Sequence, residues 1–192
     1  MIAEAGLAAL WLAAAFALVQ LLLAWGAARA GTRVLPDGEA GTELLTALRR
    51  TALVQGLLAL LAFVLLIVLF VRSDMSVLLV AANSHSLKPL IYKISGAWGN
   101  HEGSMLLWVL ILTLFGACVA AARNSVPPRL RASTLGVQGL ITFVFLLFII
   151  TTSNPFSRVI PAPVEGNDLN PLLQDPGPVS YTHLTLPTNR EV

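Results

Sequence analysis

Four long apolar runs dominate this chain, at residues 6–28, 51–71, 105–122 and 135–152. None contains Asp, Glu, Lys or Arg. A helix rises about 1.5 Å per residue, so about 20 residues cross the hydrocarbon core of a bilayer, roughly 30 Å thick. The first two runs meet that length outright. The other two meet it once a turn of flanking residues is added. No run carries a polar stripe at helical spacing, so none reads as a surface helix of a water-soluble core. Backbone groups in lipid must be satisfied within their own segment, which makes each run a helix. The predicted fold is all-α: a polytopic integral membrane protein with four transmembrane helices and an apolar external loop between the second and third.

Composition supports this reading. Charged residues are 11% of the 192 residues and hydrophobic ones 56%, whereas an average soluble domain is about 25% charged. The surplus apolar surface calls for membrane lipid as its partner. The formal net charge is only +2, and no basic-aromatic surface suggests nucleic acid as a partner. The single cysteine, Cys118, excludes an internal disulfide and a cysteine-based metal cluster. Ala28-Arg29-Ala30 has the look of a signal-peptide cleavage site. The region before the first run is acidic (Glu4), however, and the run is too long for a signal core, so a retained span is expected.

Arginine and lysine set the orientation. The first connection holds Arg29, Arg33, Arg49 and Arg50, and the third holds Arg123, Arg129 and Arg131 without acids. The positive-inside rule places both in the cytoplasm. The N-terminus, the loop 72–103 and the segment after residue 152 are then outside.

That loop is unusually apolar for an aqueous connection. It is expected to lie as short segments at the membrane interface, where Tyr92, Trp98 and Trp108 sit comfortably. Its most distinctive string is Trp98-Gly99-Asn100-His101-Glu102-Gly103-Ser104. A zinc-protease motif would need a second histidine four residues after His101, where Met105 stands. Three roles stay open for His101 and Glu102: a haem-contacting group, a proton-handling pair, or a polar cap on the third long helix. Gly99 and Gly103 bracket the pair and allow a tight turn or a close approach. His85 reads as a solvated loop histidine. Gln20, Gln55 and Gln138 lie within the spans and are expected to bond neighbouring helices.

Four strings together resemble the CcmF/NrfE family of cytochrome c-type biogenesis proteins. They are Asn83-Ser84 with residues 89–96 (PLIYKISG), residues 98–110 (WGNHEGSMLLWVL), residues 145–149 (FLLFI) leading into 152–156 (TSNPF), and residues 166–177 (GNDLNPLLQDPG). The resemblance covers residues 1–177. It implies a subunit of the membrane haem lyase of the bacterial cytoplasmic (inner) membrane. Such a subunit takes haem from a CcmE-like chaperone, works with a CcmH-like subunit, and assists covalent attachment of haem to apocytochrome c outside the membrane. Haem is the implied cofactor of the full-length family, but the family's haem ligands and Trp-rich motif are not identifiable in this sequence. Trp98, Gly99, His101, Glu102 and Trp108 are the candidate haem-handling or outer-loop residues. The tail 178–192 departs from the family pattern and reads as non-native, His183 included. Residues 1–177 are then the N-terminal transmembrane region of a CcmF-like protein, expected to be inactive alone. A transporter subunit, or a structural membrane subunit without haem chemistry, is the alternative. The uncharged spans count against transport.

Overall fold

The computed structural model describes residues 1–29, 39–122 and 126–167. It contains six helices: α1 (Ile2–Arg29), α2 (Glu39–Val71), α3 (Leu78–Asn83), α4 (Leu90–Gly96), α5 (His101–Ala121) and α6 (Pro128–Thr152). Four of them, α1, α2, α5 and α6, are long and apolar enough to cross a membrane. The fold is all-α, as expected. The tail 178–192 lies outside the described residues, as do Arg33 and Arg123.

The helices outrun the apolar runs that seeded them. Sequence hydropathy starts the second span at Thr51, but α2 starts at Glu39, so Arg49 and Arg50 lie on the helix rather than in a connection. Leu44, Leu45, Ala47 and Leu48 are strong helix formers, and nothing stops helix propagation at the edge of the hydrocarbon. The 33 residues of α2 rise about 50 Å, well beyond the core thickness. Pro128 opens α6 in its first turn, where a missing N–H removes no helical bond.

α1 packs on α2 and α6, α5 packs on α2 and α6, and α2 and α6 touch more lightly across the middle. The four thus close a ring. Leu10, Leu66, Phe70, Leu106, Leu146 and Ile149 fill its centre. Ala13, Ala17, Ala59 and Ala62 are fully buried. Lipid is as apolar as leucine, so helices in a membrane are held by close packing, which small residues permit. Trp11, Leu22, Leu57, Phe115 and Val137 are exposed around the outside, as lipid-facing side chains should be.

The buried amides behave as the sequence suggested. Gln20 Nε2 donates to Gln138 Oε1 at 2.7 Å and to the Leu135 carbonyl. Gln138 Nε2 donates to Thr142 Oγ1 at 3.0 Å and to Gln55 Oε1 at 3.3 Å. One chain of hydrogen bonds therefore ties α1, α6 and α2 together at mid-bundle.

One end of the bundle is capped by α3, α4 and a strap, residues 153–167. The strap pairs with the start of α3: Leu78 N–H donates to Ser157 O at 2.8 Å, and Val159 N–H donates to Ser76 O at 3.0 Å. Further along, Asn167 N–H donates to Ala81 O at 2.7 Å. The Arg158 guanidinium pairs with Glu4 at 2.6 Å, bonds the Ser76 hydroxyl and lies 3.8 Å from Asp74. It ties the start of α1, the segment after α2 and the strap into one unit. The loop 72–103 is thus a folded cap with two short helices, as expected of its apolar character.

Candidate functional site: the α4–α5 corner

The string Trp98–Ser104 makes a tight corner between α4 and α5. At the end of α4, Trp98 N–H and Gly99 N–H both donate to Ser95 O, at 3.2 and 3.0 Å. Asn100 takes extended backbone angles and caps α5: its Oδ1 accepts from Gly103 N–H at 2.7 Å. Its Nδ2 reaches back to Gly96 O at 2.8 Å. Ser104 Oγ donates to Trp98 O at 2.6 Å. A side-chain oxygen at this position satisfies one of the free N–H groups of a helix start.

Gly103 is at the closest approach in the corner. A Cβ there would lie 1.7 Å from Ala97 O. The expected close approach at Gly103 is therefore real. Gly99 is instead a bonded turn residue.

The cap on α5 is Asn100, a residue inside the motif to which the sequence reading gave no role of its own. An Asn directly before an acidic first turn is an N-cap signature and was legible there. Glu102 adds its carboxylate to that first turn, where negative charge is favoured. It also lines a cavity of about 250 Å³ with Leu78, Leu79, Ala82, Asn83 and Asn154. Sequence reasoning missed Asn154, because its approach to α3 depends on the fold of the strap. His101 is exposed beside this cavity and is not among its lining residues.

The two tryptophans separate. The Trp98 ring stacks on Phe63 of α2, with centroids 6.3 Å apart and planes 27° apart. Trp108 is one of the most exposed aromatics, at 67%. It lines an apolar groove between α5 and α6 with Phe115 and Phe145. The five candidate residues therefore form a strip down the corner and α5 rather than one pocket.

His85 is half-buried, with Nδ1 accepting from Leu87 N–H at 3.2 Å. Next to it, Ser86 donates from both its hydroxyl (2.6 Å) and its backbone N–H (3.0 Å) to the Glu165 carboxylate on the strap. The Ser86 hydroxyl, then the Ser86 and Gly166 N–H groups, hold Glu165 down from 4.5 to about 2. A carboxyl depressed by folding adds stability above its unfolded pKa and loses it as pH falls through the folded value. The Ser86–Glu165 clasp should therefore be constant above pH 4.5 and weaken between 4.5 and about 2. Hydrogen exchange at the Ser86 and Gly166 amides, corrected for intrinsic rates, should be flat from pH 8 to 5 and accelerate only below. Glu165→Gln should remove the dependence.

The lining of the cavity beside Glu102 offers no His, Met, Cys or Tyr as an axial ligand. No three His, Cys, Asp or Glu side chains converge as a metal site among the described residues. Cys118 is exposed and unpaired.

The family model described as cytochrome C assembly protein matches residues 98–186, beginning at Trp98 of the corner. The chain is 52% identical over 177 residues to the cytochrome c-type biogenesis protein CycK of Bradyrhizobium diazoefficiens, covering 92% of this chain and 26% of that protein. It is 45% identical to CcmF of Pseudomonas aeruginosa, with the same shares of each chain. A solved structure of the cytochrome c haem lyase CcmF superposes with a TM-score of 0.69 at 28% identity, over 82% of this chain and 25% of that one. The chain thus spans about a quarter of the length of the relatives it matches. The helical fold and the corner motif accord with the comparisons on one point: the chain belongs to the CcmF/NrfE family of cytochrome c-type biogenesis proteins.

Proposed function

We propose that the chain serves a membrane haem lyase for cytochrome c maturation, with its capped end outside the bacterial cytoplasmic membrane. The observation that carries this reading is the combined sequence and fold match to cytochrome c biogenesis proteins across nearly all of the described helices. Charge supports the orientation. At the capped end, Arg72, Lys88, Lys93 and Arg158 are balanced by Glu4, Asp74, Glu102 and Glu165. At the other end, Arg49, Arg50, Arg129 and Arg131 outnumber Glu43 among the residues whose side chains are described. An excess of arginine marks the cytoplasmic side.

In this reading haem is the substrate of the attachment step. The lyase adds a cysteine thiol of apocytochrome c across a haem vinyl group, forming the thioether with no net change in electrons. A CcmE-like chaperone delivers the haem, and a CcmH-like subunit and apocytochrome c are the further partners. The α4–α5 corner offers them a rigid edge. Asn100, Gly103 and Ser104 hold the backbone, leaving His101 and the face of Trp98 accessible. The buried amides bond one another across helices, which favours a scaffold over an ion pathway.

The test is a chimera. The matched residues of the Bradyrhizobium CycK are replaced by residues 1–177 of this chain in a strain lacking its own CycK. Covalent, haem-stained cytochrome c should be restored, and His101→Ala should lower it without lowering chimera abundance. A stably inserted chimera that leaves apocytochrome unmodified would refute the proposal.

A further inference from the structure

The end of the bundle opposite the cap has a cavity of its own, of about 660 Å³, between α1 and α2. Val19, Leu23 and Ala47 form an apolar wall, and Glu43, Arg50 and Thr51 form a polar rim. From the sequence and geometry of this cavity, we infer that it binds a phospholipid with a zwitterionic amine headgroup, of the phosphatidylethanolamine kind. Arg50 takes the phosphate and Glu43 takes the ammonium.

The argument starts from α2 itself. Glu43 and Arg50 are seven residues apart, nearly two full turns, so both stand on one face of the helix. Glu43 is nearer the helix start and therefore farther from mid-bundle than Arg50. A bilayer phospholipid has the same order: acyl chains deepest, then phosphate, then the terminal amine. The rise between the two residues is about 10 Å. A long arginine snorkels toward the interface, which carries its guanidinium in the direction of Glu43. Arginine presents paired N–H donors that match a phosphate.

Headgroup charge decides between lipids. A purely anionic headgroup would satisfy Arg50 but face Glu43, which is exposed and lines the same rim. The amine headgroup satisfies both. The apolar wall explains why the ligand is a lipid and not a free phosphoamine. Val19 is 43% exposed on a helix otherwise suited to a membrane, and Leu23 continues the wall one turn on.

The full 192-residue chain, purified in mild detergent and delipidated, would be titrated with defined lipids and read by native mass spectrometry. Phosphatidylethanolamine should bind in preference to phosphatidylglycerol and phosphatidylcholine. Soluble glycerophosphoethanolamine should not bind. Arg50→Ala should weaken phosphatidylethanolamine binding about tenfold, the effect of one charge-assisted contact. Glu43→Gln should reverse the preference toward phosphatidylglycerol. Both side chains are exposed, and matching circular dichroism and thermal unfolding would confirm an intact fold. Equal binding of all lipids, retention unaffected by Arg50→Ala, or an anionic preference in the unaltered chain would each overturn the assignment. So would equal binding of the soluble headgroup.

Discussion

Replacing Gly103 by alanine is expected to destabilise the bundle by about 3 kcal/mol or more. The added Cβ would sit 1.7 Å from Ala97 O, 2.8 Å from Ala97 C and 3.0 Å from Asn100 Oδ1. Two of these atoms are backbone at the buried end of α4, and no side-chain rotation clears them. Either the corner opens or α5 slides. In both cases Asn100 loses its bond to Gly103 N–H, an N-cap interaction worth about 1 kcal/mol alone. Gly26→Ala is the matched control. Nothing lies within 4 Å of its added Cβ, so removing a helical glycine there should be neutral or stabilising by up to about 1 kcal/mol. Reversible unfolding of both variants in mixed detergent micelles would check the contrast. A Gly103→Ala variant as stable as Gly26→Ala would mean that the corner is not packed as described.

The second large effect is expected at Gln138. Its amide accepts from Gln20 and donates to Gln55 and Thr142, bridging α6 to both α1 and α2. Gln20 and Gln55 are fully buried. Gln138→Leu leaves Gln55 Oε1 without its donor and Gln20 Nε2 with the Leu135 carbonyl alone, and a buried polar group without its partner costs about 1–3 kcal/mol. A loss of about 2–4 kcal/mol is expected, against the smaller average for a single hydrogen bond between membrane helices. Converting all three glutamines to leucine should recover much of that loss, because no amide is then left unpaired. If the triple variant proves less stable than Gln138→Leu alone, the network has a role beyond mutual satisfaction of its members. A double-mutant cycle between Gln20 and Gln138 measures the coupling directly.

How much of this was legible in the sequence follows from the physics of each part. The spans were legible because lipid leaves a helix no alternative, and an uncharged run of 20 residues is a one-dimensional signal. The helix starts were not. Glu43, Arg49 and Arg50 are excellent helix residues that happen to be charged, so hydropathy ends where α2 does not. The glutamines could be read as interhelical glue, but which helices they join depends on the ring order. At the corner, Gly103 was legible as a close approach, and the Asn100 cap was visible in the letters. The cavity beside Glu102 was not legible, because Asn83 and Asn154 are 71 residues apart and meet only through the strap. Arg158 likewise reaches Glu4 across nearly the whole chain, a pairing no local pattern encodes. The candidate haem-handling residues proved to be a strip with one structural corner rather than a pocket. Sequence spacing along a helix start cannot distinguish the two.

The central claim is that this four-helix ring crosses the membrane with its α3–α4 cap outside and its arginine-rich end in the cytoplasm. It is tested most directly by labelling single cysteines with a membrane-impermeant maleimide, in a Cys118→Ser background and in spheroplasts. Leu87 at the cap is 87% exposed and Leu130 at the start of α6 is 58% exposed. The account predicts that Leu87→Cys labels in intact spheroplasts, whereas Leu130→Cys labels only after the membrane is permeabilised. The reverse pattern, or labelling of both before permeabilisation, would contradict it.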